Sequence, residues 1–160
     1  MSTSQLETEI DFTGVYKTYH DNGELESEVF MINGKENGIY RVYWESGQLY
    51  SEVNFIDGKE NGPYKSYYDS GQLYSEVNYI DGKSNGINKS YWKSGQLESE
   101  VNFIDGLENG PYKCYYESGE LELEIVYSNG ERNGIAKTYC ETGQLLSEVN
   151  YVDGVIQPQN

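Results

Sequence analysis

Basic residues are scarce in this chain: 11 Lys plus Arg stand against 27 Asp plus Glu, for a formal charge of −16 over 160 residues. That balance argues against a nucleic-acid partner, because phosphate contacts need a positive surface. It also disfavours adsorption to anionic lipid head groups, which attract Lys and Arg. The charge would draw in a basic protein at long range. Histidine is nearly missing, with His20 alone, and so is cysteine, with Cys114 and Cys140 only. The two thiols form no metal-ligand spacing and no disulfide framework, and a reducing, cytoplasmic setting is expected. No stretch approaches the roughly 18 apolar residues of a membrane span. The start, Met1 to Thr8, is polar and acidic with no apolar core, so no signal peptide is expected. Proline is rare, at 3 residues.

What the chain has in quantity is tyrosine and glycine. Disorder is the other reading of high acidity, but 17 Tyr and a 14% aromatic fraction oppose it. All 18 glycines fall into three series, each with a period of 24 residues: Gly14 to Gly134, Gly23 to Gly143, and Gly34 to Gly154. The unit is plainest from Gly62 to Asn85. A Tyr-rich run precedes Asp69-Ser70-Gly71, and a second run, Leu73 to Ile80, precedes Asp81-Gly82. Both runs are β-rich and both breaks carry turn residues, which reads as strand, turn, strand, turn.

The expected fold is all-β: one elongated antiparallel meander of about 13 strands, roughly 60 Å long at the usual strand spacing. Six repeats cover 14–37, 38–61, 62–85, 86–109, 110–133 and 134–157, with a tail at 158–160. Residues 4–13 align with the second strand of a repeat and form an N-terminal half-repeat that would cap the array.

At each Ser-Gly break a three-residue loop, a type I turn followed by Gly in the left-handed region, fits better than a two-residue primed turn. The primed turn would need positive φ at Ser or Thr. With the longer loop Tyr67 faces Leu73, Lys65 faces Ser75 and Pro63 faces Val77; the primed turn would swap the first-strand face. The same three-residue loop is expected at Asp81-Gly82. The Leu series, the Val series, Tyr67 and its equivalents, and Phe55, Tyr79 and theirs then share one core face, with the Lys/Arg series at its rim. The other face carries Tyr40, Trp44, Tyr50, Tyr64, Tyr68, Tyr74, Trp92, Tyr112 and Tyr116, with Glu52, Glu76 and Glu100 among them. An exposed Tyr/Trp stripe on a rigid scaffold has the composition of a binding surface. Cross-strand packing is the plainer account of the same rings.

Sites for chemistry are sparse. His20 occupies the position of Trp44, Tyr68, Trp92 and Tyr116 and reads as another half-exposed ring. The Asp-Gly turns lack the alternating oxygen ligands of a calcium loop. No cofactor, metal or catalytic residue is assigned.

The unit Gly-x-Tyr-Lys-x-Tyr-Tyr-x-Ser-Gly-Gln-Leu-x-Ser-Glu-Val-x-Tyr-x-Asp-Gly-Lys resembles the MORN repeat, and more closely the MORN-variant repeat, from Ser4 to about Gly154. That resemblance implies an elongated, twisted antiparallel sheet of successive hairpins. The residues themselves, aromatic and acidic with no catalytic constellation, lead to the expectation of a non-enzymatic, monomeric interaction module with a basic protein partner. Similar proteins include predicted bacterial antitoxin or immunity proteins. Others are structural scaffolds, cell-cortex or virion building blocks, and membrane-associated adaptors, the last opposed by the acidity here.

Overall fold

A computed structural model describes residues 12–158. The eight-residue runs that begin at each repeat leucine all become second strands: Leu25–Ile32, Leu49–Ile56, Leu73–Ile80, Leu97–Ile104, Leu121–Ser128 and Leu145–Val152. Their alternating Val, Phe, Tyr and Ile supply the side chains that suit a pleated surface. First strands run Gly14–Tyr19, Gly38–Tyr43, Gly86–Tyr91 and Gly134–Tyr139. In the third and fifth repeats they merge with a preceding stub as Lys59–Tyr67 and Leu107–Tyr115. Elsewhere the stubs stand alone at Lys35–Glu36, Lys83–Ser84, Glu131–Arg132 and Val155–Ile156. All strands form one antiparallel sheet whose long strands are ordered as in the chain. The meander is the expected one. The half-repeat at 4–13 lies almost wholly outside the described residues; within them, the Phe12 carbonyl accepts a hydrogen bond from Gly34 N at 2.9 Å.

The two turns of each repeat differ. At the Ser-Gly break, Gly71 N donates to Tyr68 O at 2.8 Å and Tyr68 N to Gln72 O at 2.9 Å, the expected three-residue loop. At the Asp-Gly break the expectation fails. Ile80 pairs with Lys83, leaving a two-residue loop with Asp81 at φ 51° and Gly82 at φ 78°. Positive φ at both central residues is the primed type I turn, whose twist matches the strands it joins. Asp tolerates that region because its short side chain bonds locally. The chain then bulges at Asn85-Gly86 before pairing resumes as Glu76 with Lys89. Asn85 N donates to Asn78 O at 2.8 Å, and Asn78 Nδ2 donates back to Asn85 O at 3.2 Å. Asn54 with Asn61 and Asn102 with Asn109 repeat the side-chain bond.

The face assignment is also corrected. Tyr67 does face Leu73, but the next pair is Ser66 with Ser75, so Tyr74 is an extra, bulged residue. Beyond it Lys65 faces Glu76 and Tyr64 faces Val77, where Ser75 and Pro63 were expected opposite Lys65 and Val77. The same shift recurs after Tyr19, Tyr43, Tyr91, Tyr115 and Tyr139. Side chains alternate with a period of two, so one bulged residue divides the expected core between two faces. One face takes the Val, Ser and Phe55/Tyr79 series together with Tyr40, Tyr64 and Tyr112. The other takes the Leu and Tyr67 series together with Lys/Arg and Glu.

Every buried side chain among the described residues lies on the first of these faces: Ser27, Val29, Ser51, Val53, Ser66, Ile125 and Ala136. Small residues sink there between edge-on ring pairs such as Tyr40–Phe55 at 6.0 Å and Tyr64–Tyr79 at 6.3 Å. Facing hydroxyls pair across strands, Ser66 with Ser75 at 2.6 Å and Ser90 with Ser99 at 2.7 Å.

Candidate functional site

The opposite face is a charged ladder. Lys17, Glu28, Arg41, Glu52, Lys65 and Glu76 are successive cross-strand partners. Lys89, Glu100, Lys113, Glu124, Lys137 and Glu148 continue the row without a break. Opposite charges directly across a sheet favour the register that pairs them. Close pairs include Lys17–Glu28 at 3.3 Å and Arg41–Glu52 at 3.4 Å. Tyr43 Oη donates to Glu28 at 3.0 Å and Tyr91 Oη to Glu76 at 2.7 Å. The Tyr43 and Lys17 hydrogen bonds hold the Glu28 carboxyl below its ordinary range. Burial, reinforced by the Glu76 carboxylate, pushes Tyr91 up to about 12.

The ladder therefore separates Glu52, Glu76 and Glu100 from the aromatic residues grouped with them on sequence. Tyr40, Tyr64 and Tyr112 point to the serine–valine face, and Tyr50 and Tyr74 sit at the bulges of the second and third repeats. Trp44 packs edge-on against Tyr50 at 4.6 Å, and Tyr68 against Tyr74 at 5.0 Å. Trp44, Tyr50 and Tyr74 are exposed, whereas Tyr68, Trp92 and Tyr116 are half-buried.

These last rings also tie repeats together. Tyr68 Oη donates to Tyr91 O at 2.8 Å, Trp92 Nε1 to Tyr115 O at 3.1 Å and Tyr116 Oη to Tyr139 O at 2.7 Å. His20 Nε2 makes the equivalent 2.9 Å bond with Tyr43 O. The sequence put His20 in register with these rings; that each carries a polar atom reaching the next repeat was the signal not used. Tyr112 accepts from Cys114 Sγ at 2.6 Å, and its own ionisation is pushed up, first by burial. Both cysteines are free thiols.

Six bases and six acids balance within the ladder, so the whole charge of −16 belongs to the remainder of the chain. Its densest part is the edge formed by the three-residue loops. Asp21, Glu24, Glu45, Asp69, Glu117, Glu120 and Glu141 lie on that edge, and Glu26, Glu98 and Glu122 occupy bulges beside it. Against them stands one base, Lys93, bonded to Asp69 at 3.1 Å and 5.4 Å from the Tyr68 ring centroid. Trp44, Tyr50, Tyr67, Tyr68, Asp69, Tyr74 and Lys93 surround an open hollow of about 500 Å³ on this edge.

The repeat itself is a known one. Residues 12–33, 36–57, 60–81, 84–105, 108–129 and 132–153 each match the MORN repeat variant. The chain belongs to the MORN repeat variant family. From the second onward each MORN match opens in a stub, and all six close on the first residue of the primed turn, so the family unit is the hairpin with its bulge. This array is a repeat scaffold in which each hairpin bonds to its neighbours. No curated protein matches the chain.

Among solved structures, the crystal structure of TarM aligns with 61% of this chain and 19% of its own, at 11% identity and a TM-score of 0.39. An S. aureus TarM variant in complex with Fondaparinux, alpha-GlcNAc-glycerol and UDP aligns over 75% and 21%, at 10% identity and a TM-score of 0.40. A GtfA/B complex bound to UDP and GlcNAc aligns over 72% and 22%, at 10% identity and a TM-score of 0.30. The MORN array spans about a fifth of those chains, and likeness at this level carries no chemistry across. Among the described residues no helix is long and apolar enough to cross a membrane.

Proposed function

We propose that this MORN array is a non-enzymatic protein-interaction module, in its most concrete form an antitoxin- or immunity-type inhibitor that binds a basic protein partner. The observation that carries the reading is the loop edge, where exposed Trp44, Tyr50 and Tyr74 stand beside ten carboxylates and a single ammonium. Aromatic rings supply contact area at low entropic cost, and the carboxylates steer a basic surface toward them. The balanced ladder on the far face contributes no net attraction, so steering is directional. The test is capture of partners from native lysate at about 0.1 M and then about 0.5 M salt, where the Debye length falls well below 10 Å. A dominant basic protein retained at low salt, released at high salt and not captured by an Asp69→Asn, Glu98→Gln, Glu117→Gln variant supports the reading. Capture that ignores both salt and those substitutions refutes it.

A second reading, a building block that stacks on copies of itself, draws on the last long strand. Leu145–Val152 pairs along its length on one side only among the described residues. Leu146, within that strand, is 65% exposed, and an uncovered strand edge is a template for another chain. Sedimentation of the purified protein separates the two readings, since the inhibitor is a monomer and the building block a concentration-dependent assembly.

A further inference from the structure

Resting on the basic-partner reading, we infer that the hollow framed by Trp44, Tyr50, Tyr68 and Tyr74 is the receptor for an arginine side chain of that partner, which displaces the protein's own Lys93. Two edge-on ring pairs from adjacent repeats form its walls, with ring centroids 4.6 Å and 5.0 Å apart within each pair. Asp69 stands at its rim. After burial, the field of Glu98 contributes most to the upward shift of Tyr68, which places a second carboxylate within electrostatic reach.

The hollow already holds a cation. Lys93 Nζ lies 5.4 Å from the Tyr68 centroid and 3.1 Å from Asp69 Oδ1. Lys93 and Asp69 are 64% and 69% exposed, so solvent screens their pair and it yields readily to a competitor. Arginine is the competitor the site suits. Its guanidinium is flat enough to lie on a ring, carries a fork that fits one carboxylate, and sheds water more easily than an ammonium.

The ring walls are confined to the second and third repeats, and Lys93 reaches them from the loop of the fourth. The bulge position that holds Tyr50 and Tyr74 holds Glu26, Glu98, Glu122 and Leu146 in the others. The loop position of Lys93 is acidic in every other repeat. The one basic loop thus adjoins the one place where two bulge rings are neighbours, and its Lys93 side chain reaches into it.

The experiment titrates hexa-arginine and hexa-lysine peptides into the full chain at about 0.1 M salt and follows the indole N–H resonances of Trp44 and Trp92. Hexa-arginine is expected to shift the Trp44 signal and to bind about five-fold more tightly than hexa-lysine. Tyr50→Leu with Tyr74→Leu, which installs the residue the sixth repeat already carries, should erase that preference at unchanged net charge. Lys93→Met should tighten hexa-arginine binding about two- to five-fold by removing the resident cation. If both peptides bind equally and Trp44 stays unshifted, loop charge alone attracts them and this inference fails while the basic-partner reading stands. If neither peptide binds, both fail.

Discussion

Lys65 and Ser66 are chain neighbours, and the sheet sends them to opposite worlds. Ser66 is 2% exposed, its hydroxyl 2.6 Å from Ser75 in a layer of small residues roofed by rings. Lys65 stands on the far face between Glu52 and Glu76, in a ladder whose charges remain in contact with water. A single-layer sheet can therefore build a partly dry face without a second layer, provided large rings alternate with Ser and Val beneath them. The other face is held by register instead, because a slip of one residue would set each Lys opposite Ser or Val rather than Glu and expose the valines.

The largest expected effect comes from breaking that contrast. Ser66→Leu overpacks the recessed layer and strips Ser75 of its partner, for a loss of about 3 kcal/mol. Lys65→Leu, one residue away, should change stability by less than about 1 kcal/mol, because a half-exposed ammonium set across from Glu52 and Glu76 is screened by water. Urea unfolding of the two variants reads both, and a greater loss from Lys65→Leu would invert the assignment of faces.

The bulges sharpen the comparison at smaller scale. Asn78→Ala removes the bond to Asn85 O and should cost about 1 kcal/mol. The corresponding positions in the first and fifth repeats are Phe30 and Val126, which have no such donor, and both are exposed. Val126→Asn should gain about 0.5–1 kcal/mol if the bulge at Asn133 accepts the same bond. Differential scanning calorimetry of the two single variants measures both signs.

The smallest effects are in the pH dependence of the charged face. Glu28 is held low, so its contribution is present above its unfolded value, near about 4.3, and is lost as pH falls through the folded value. Tyr91 is held high, at about 12, so its contribution is present below its unfolded value of about 10 and is lost as pH rises through the folded one. Melting temperature against pH should lose part of its acid limb in Glu28→Gln and part of its alkaline limb in Tyr91→Phe. A Ser90→Ala change on the serine–valine face should alter neither limb.

Much of this was legible in the chain because each signal was local. Glycine at three fixed places marks turns and bulges, and in the structure every glycine has positive φ. The repeat length, hairpin order and Ser-Gly loop follow from that punctuation and from the β-rich runs between. The candidate site was legible only in part. The aromatic stripe was visible, but Glu52, Glu76 and Glu100 were grouped with it and belong to the ladder, while the rim carboxylates Asp69 and Glu98 were passed over.

The sequence by itself determined the six hairpins, their period and their all-β character, because turn residues and strand propensity act over a few residues. The tertiary structure alone decided the sides. One bulged residue after each first loop reverses the alternation downstream, and a bulge forms only where hydroxyl pairs, ring pairs and the charge ladder of neighbouring strands all fall into register with it. Those partners come from different parts of the chain, so no reading along a single strand reveals which way Lys65 and Ser66 will point.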